Sequence, residues 1–106
     1  MSDLRPLRIP TADGRAYAVH FEPLSEAPAR MERAGLEPGR CLIVTDDHVS
    51  DLYLEEVCEA LEDAGWHPFP LIVAHGEASK SLETYRLVLD WAMTIGVTRD
   101  TPVIAL

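Results

Sequence analysis

Three short, uninterrupted apolar runs, Cys41-Leu42-Ile43-Val44, Leu71-Ile72-Val73-Ala74 and Val103-Ile104-Ala105-Leu106, constrain this chain more than any other feature. A strand with one wet face alternates apolar and polar residues, whereas a strand that is apolar throughout is covered on both faces, as in a parallel sheet between helices. Helical patterns fill the intervals. Val49, Tyr53, Val57, Ala60 and Ala64 recur at helical spacing while Asp51, Glu55, Glu59 and Glu62 fall on the opposite side, and Gly65 is the expected stop. Leu82, Tyr85, Leu89, Ala92 and Gly96 trace the expected buried stripe of a second helix, with Trp91 at its margin or facing a missing neighbour. Pro68 and Pro70 permit only extended backbone leading into the strand at Leu71. The succession from Cys41 predicts a right-handed parallel βαβαβ unit, a Rossmann-like three-layer αβα arrangement in the α/β class. Before it, Leu7 to Ile9 and Ala16 to Phe21 flank Ala12-Asp13-Gly14-Arg15, which predicts an amino-terminal β-hairpin. Pro23 to Arg33 reads as a short helix with Ser25 as its cap and Gly35 as its stop.

The candidate site lies where the second run ends. His75-Gly76-Glu77-Ala78-Ser79-Lys80 connects a strand to a helix opening at Ser81-Leu82-Glu83-Thr84-Tyr85, and Lys80 is the only lysine. The carboxyl edge of an open α/β sheet is where ligands bind, and a helix start offers free N–H groups to an anion. A nucleotide phosphate fits that edge. On the loop alone, a lysine that merely solvates the helix start fits equally well. Gly76 lets backbone approach a ligand, and Lys80 can place a point charge near a pyrophosphate. Glu77 would oppose phosphate, so its partner is a sugar hydroxyl or Lys80 itself. Asp46 follows the first parallel strand; Asp46 or Asp47 could cap the next helix, and the preferred reading makes Asp46 the ligand of a ribose, with Asp47 or Ser50 as the cap.

Charge and length narrow the function classes. The 106 residues are 47% hydrophobic and carry a formal charge of −9, enough for one domain that buries roughly 65% of its unfolded surface. An acidic chain lacks the clustered positive charge that nucleic acid or an anionic membrane demands. No apolar run approaches the ~20 residues of a membrane span, and Met1-Ser2-Asp3-Leu4 lacks signal-peptide character, so a cytoplasmic location is expected. Cys41 and Cys58 have neither zinc-knuckle nor redox spacing and are read as reduced, buried thiols. His20, His48, His67 and His75 contain no pair at i, i+4, and no metal site is expected among them. Ser79 and Ser81 have no base at a recognisable spacing, so nucleophilic catalysis is not expected.

Val44-Thr45-Asp46-Asp47-His48-Val49, Leu52-Tyr53, Gly76-Glu77 with Lys80-Ser81, and Arg99-Asp100 ahead of the last run resemble, in that order, the amino-terminal part of the 3-dehydroquinate synthase family. The resemblance runs from about Tyr17 to Leu106, with Gly-Glu-x-x-Lys-Ser its most specific element. It implies that residues 1–106 are the amino-terminal part of an NAD-binding domain, with Asp46, His48, His75, Gly76, Glu77, Ala78, Ser79 and Lys80 on the cofactor side and no catalytic residue. His48 stands where the family often has an amide, His75 replaces the residue usual before Gly-Glu, and Ala74 stands in place of proline. The glycine-rich turn that follows the third strand in the family is not in this chain, which implies a fragment without the metal- and substrate-binding domain. The whole enzyme converts 3-deoxy-D-arabino-heptulosonate 7-phosphate to 3-dehydroquinate and phosphate in the shikimate pathway, with NAD as transient oxidant and a divalent metal, zinc or cobalt. A homodimer is expected, and the isolated chain is expected to be inactive. Another sugar phosphate cyclase, or a non-catalytic nucleotide-binding or interaction module, remains open at this point.

Overall fold

The computed structural model describes residues 5–76 and 81–106. The hairpin is present: β1 (Leu7–Pro10) pairs antiparallel with β2 (Ala16–Val19) in the register Leu7 to Val19 and Pro10 to Ala16. Gly14 takes φ 86° in the turn, and the Asp13 carboxylate accepts the Arg15 amide at 3.1 Å. The helix before the sheet differs from expectation. A 3-10 turn, Leu24–Glu26, leads into α1 (Ala27–Arg33), and Ser25 caps neither. Pro28 occupies the first turn of α1, a place where its missing N–H costs nothing, so the helix begins beyond the reach of Ser25. Gly35 does end it, at φ 89°.

Three parallel strands form the second sheet in the order β4-β3-β5. The central strand is β3 (Arg40–Asp46), flanked by β4 (His67–Val73) and β5 (Val103–Ala105), with Cys41 opposite Pro68 and Ile43 opposite Ile104. Pro68 and Pro70 lie inside β4, not ahead of it. Both point their amide-less nitrogens the same way along an edge strand, while His67 donates its amide to Gly39 at 2.8 Å on the paired side. An outer position tolerates what a central strand would not. The order sends the first crossover to one side of β3 and the second to the other, so right-handed connections put their helices on opposite faces. The result is a Rossmann-like three-layer unit.

One face of β3 builds the core. Cys41 and Ile43 are fully buried with Val57, Leu61 and Trp66, and Leu24, Met31, Leu36, Leu54, Cys58, Ile104 and Leu106 pack around them. The helical run beneath them has three parts: α2 (Asp47–Val49), a π-helical stretch Ser50–Leu54, and α3 (Glu55–Asp63). The wide π turn takes up an extra residue, so the inward position after Val49 is Leu54 and not Tyr53, which is exposed. Val57 and Leu61 then face the sheet, and Ala64 does not. On the other face α4 (Leu82–Thr94) touches β4. Its half-buried positions are Thr84, Val88, Trp91 and Ala92, with Ile95 buried just after, whereas Leu82, Tyr85, Leu89 and Gly96 are exposed. The expected stripe is therefore the outer one, because this helix is apolar on two sides and spacing alone does not say which side meets the sheet.

Candidate functional site

Asp46 is the last residue of β3 and the first determinant of the site. Its extended backbone stops the strand, and its Oδ1 accepts the Val49 amide at 2.7 Å, which caps α2. The cap is thus Asp46, not Asp47 or Ser50; Ser50 instead donates its hydroxyl back to the Asp47 carbonyl at 3.2 Å. Capping occupies one carboxylate oxygen, and the other has no hydrogen-bond partner among the described residues. That oxygen lies at the carboxyl end of the central strand. Strand order reverses between β3 and β5, and a crevice at such a reversal is where open α/β sheets take ligands.

Asp47 reaches across to the next loop. Its Oδ1 accepts both the His75 backbone amide at 3.0 Å and the ring Nδ1 of His75 at 2.8 Å, so the Nδ1 carries the proton. The same hydrogen bond is the main reason the Asp47 carboxyl is held below the usual carboxylate range, with burial opposing it. His75 stacks on His48, with ring centroids 3.8 Å apart and planes 18° from parallel. All three side chains are exposed, and one donor atom from each lies within 4.8 Å of the others. Two of the four histidines therefore meet although they are far apart in sequence, a proximity that only the parallel pairing of β3 with β4 produces. Gly76 follows with φ 88° and open space where a Cβ would point, so a ligand can approach its backbone.

Glu77, Ala78, Ser79 and Lys80 lie outside the described residues. Beyond them the Ser81 Oγ accepts the Thr84 amide at 3.2 Å and caps α4. Arg99 and Asp100 precede β5 and so sit at the opposite edge of the sheet from Asp46 and His75, lining a groove with Leu36, Glu37 and Pro102. They do not join the site. The thiols stay apart from it as well: Cys41 is buried and Cys58 half-buried, and burial pushes the Cys41 thiol up to about 11. Neither offers a thiolate at neutral pH.

No family model matches the chain. Curated relatives do. It is 42% identical over 94 residues to 3-dehydroquinate synthase of Salinibacter ruber, which covers 89% of this chain and 26% of that protein. The 3-dehydroquinate synthases of Streptococcus sanguinis and Streptococcus suis are 41% and 40% identical over 70 residues, 66% of this chain and 20% of theirs. The chain spans about a quarter of the length of the first of these relatives.

Proposed function

Taking homology to the 3-dehydroquinate synthases as the premise, we propose that residues 1–106 form one side of the NAD site of such an enzyme, whose metal- and substrate-binding parts are contributed by further sequence. The match to 89% of this chain but 26% of the relative is the observation that carries the reading. The whole protein is then a lyase that converts 3-deoxy-D-arabino-heptulosonate 7-phosphate to 3-dehydroquinate and phosphate, in the cytoplasm and as a homodimer. NAD supplies the transient oxidation that acidifies the hydrogen lost in phosphate elimination. The divalent metal, zinc or cobalt, belongs with ligands outside this chain.

The residues present fit a dinucleotide. The uncommitted oxygen of Asp46 accepts ribose hydroxyls, and its charge disfavours a 2′-phosphate, which selects NAD over NADP. The cap on Val49 holds that carboxylate in one rotamer, so little side-chain freedom is lost on binding. His48 and His75 stand at the same border, Gly76 admits the ligand to the backbone, and next in sequence Glu77, Ala78 and Ser79 lead to Lys80, the charge for pyrophosphate. No residue among these abstracts a proton from substrate. Their work is to bind and orient.

A phosphate-release assay tests this. The 106-residue chain, given the heptulosonate phosphate, NAD and zinc or cobalt, is expected to release none, and the product of the complete gene is expected to release phosphate in step with 3-dehydroquinate. Turnover by the short chain overturns the assignment of the chemistry to other sequence. An inactive complete protein overturns the enzyme reading.

A further inference from the structure

We infer that Asp47, His48 and His75 form a binding site for a divalent transition metal at the carboxyl edge of the sheet. It is separate from the metal of the proposed chemistry, and it does not depend on the dinucleotide reading. The donors are of the right kind: two imidazoles and a carboxylate suit zinc, cobalt, nickel or copper and are poor hosts for magnesium or calcium. The donors are also close enough. Ligand bonds of about 2.0 to 2.2 Å put two donors of one ion up to roughly 4 Å apart, and here the three atoms lie within 4.8 Å of one another. Exposed side chains close that gap by rotation.

Each residue keeps a donor available. His75 Nδ1 and Asp47 Oδ1, which now share a proton, lie 2.8 Å apart; an ion takes that proton's place between them, and the imidazole carries its proton on Nε2 instead. Asp47 keeps its second oxygen, and the His48 ring makes no hydrogen bond among the described residues. The backbone is held on both sides, since the Asp46 cap fixes the start of α2 and the bond from the His75 amide to Asp47 ties the loop to it. Only the rings must move. Two imidazoles 18° from parallel direct their lone pairs side by side and not toward a common point, so an ion must tilt them out of the stack. Open positions on the ion then face solvent, where water or a phosphate oxygen completes the coordination.

The test uses the untagged 106-residue chain without NAD, under reducing conditions. Calorimetric titration with zinc chloride, and separately with nickel chloride, is expected to give one site tighter than about 100 μM, roughly the range between millimolar and micromolar contacts. Magnesium chloride is expected to give no heat. Imidazole nitrogen–proton spectra during the zinc titration are expected to shift for His48 and His75 and not for His20 or His67. His48→Ala and His75→Ala should each weaken binding at least about tenfold, with His67→Ala unchanged and all three variants melting as the parent does. Shifts spread over the four histidines, undiminished binding in both ring variants, or no binding below about 1 mM overturns the site.

Discussion

Thr45 is 2% exposed, and its hydroxyl meets no acceptor among the described residues. A buried polar group without a partner costs about 1 to 3 kcal/mol, so Thr45→Val, which keeps the shape, is expected to raise stability by about 1 kcal/mol. Urea midpoints at unchanged slope measure the gain, and a loss instead would mean that the hydroxyl is satisfied by water. Its neighbour Asp46 carries two roles that one substitution separates. Asparagine caps a helix as well as aspartate does but brings no charge. Asp46→Asn should therefore leave the melting temperature within error, while NAD affinity of the complete enzyme falls roughly tenfold, about 1.4 kcal/mol. Equal affinities would reduce Asp46 to a cap. For Cys41, the raised thiol predicts slow alkylation by iodoacetamide at pH 8 in the folded chain and rapid alkylation in urea, read by mass spectrometry. Because the folded thiol titrates at about 11 against an ordinary 9.0, the stability it contributes is full below pH 9 and is lost as pH climbs toward 11. The site residues named from the sequence, Asp46 and Gly76 by position and His48 and His75 by the family resemblance, share the edge, and the Asp47 contact that orders the loop carries no signal in the sequence, since it depends on a register between β3 and β4.

Arg40 joins two elements that are distant in the chain. Its Nη1 donates to the Ile95 carbonyl at 2.7 Å, placing a cation on the carboxyl end of α4, where helix carbonyls concentrate negative charge. Gly96 sits beside it at φ 75°, and a Cβ there would meet Arg40 Nη1 at 2.7 Å. Gly96→Ala therefore combines a left-handed backbone with a displaced guanidinium and should cost about 1 to 3 kcal/mol. Thermal melting measures the loss, and pairing it with Arg40→Met should give less than the sum because both act on one contact. Elements were legible where the physics is local. The apolar runs announce β3, β4 and β5, and Asp-Gly announces the hairpin. Helix phase was not legible. A π turn at Ser50–Leu54 shifts the inward face by one residue, which moves Tyr53 out and brings Leu54 and Leu61 in. In α4 both faces are apolar, and the one that meets the sheet is chosen by packing of Val88, Trp91 and Ile95, not by periodicity. Trp66 joins the core from a loop position, where no repeat marks it.

The molecule as a whole is unevenly covered. One face of the sheet has a closed core, but the outward side of α4 exposes Leu82 at 87% and Met93 at 80%, with Tyr85 and Leu89 between them, and Val103 lies open on β5. The indole nitrogen of Trp91 is buried without an acceptor among the described residues on that same side of the sheet. Surfaces of this kind associate. Sedimentation velocity at rising concentration is expected to show a dimer or larger species, and Leu82→Glu with Met93→Glu to return the chain to monomer; concentration-independent sedimentation of the parent would sink the expectation. How far such association can run is set by Pro68 and Pro70. They strip the outer border of β4 of donors at two positions, so that border pairs poorly with another strand, and among the described residues β5 is the receptive margin of this sheet. Polymers need two such margins per unit. Growth through this three-stranded sheet, which has one such margin, takes a single neighbour and is then spent, so this route yields pairs and starves a fibre of its next addition.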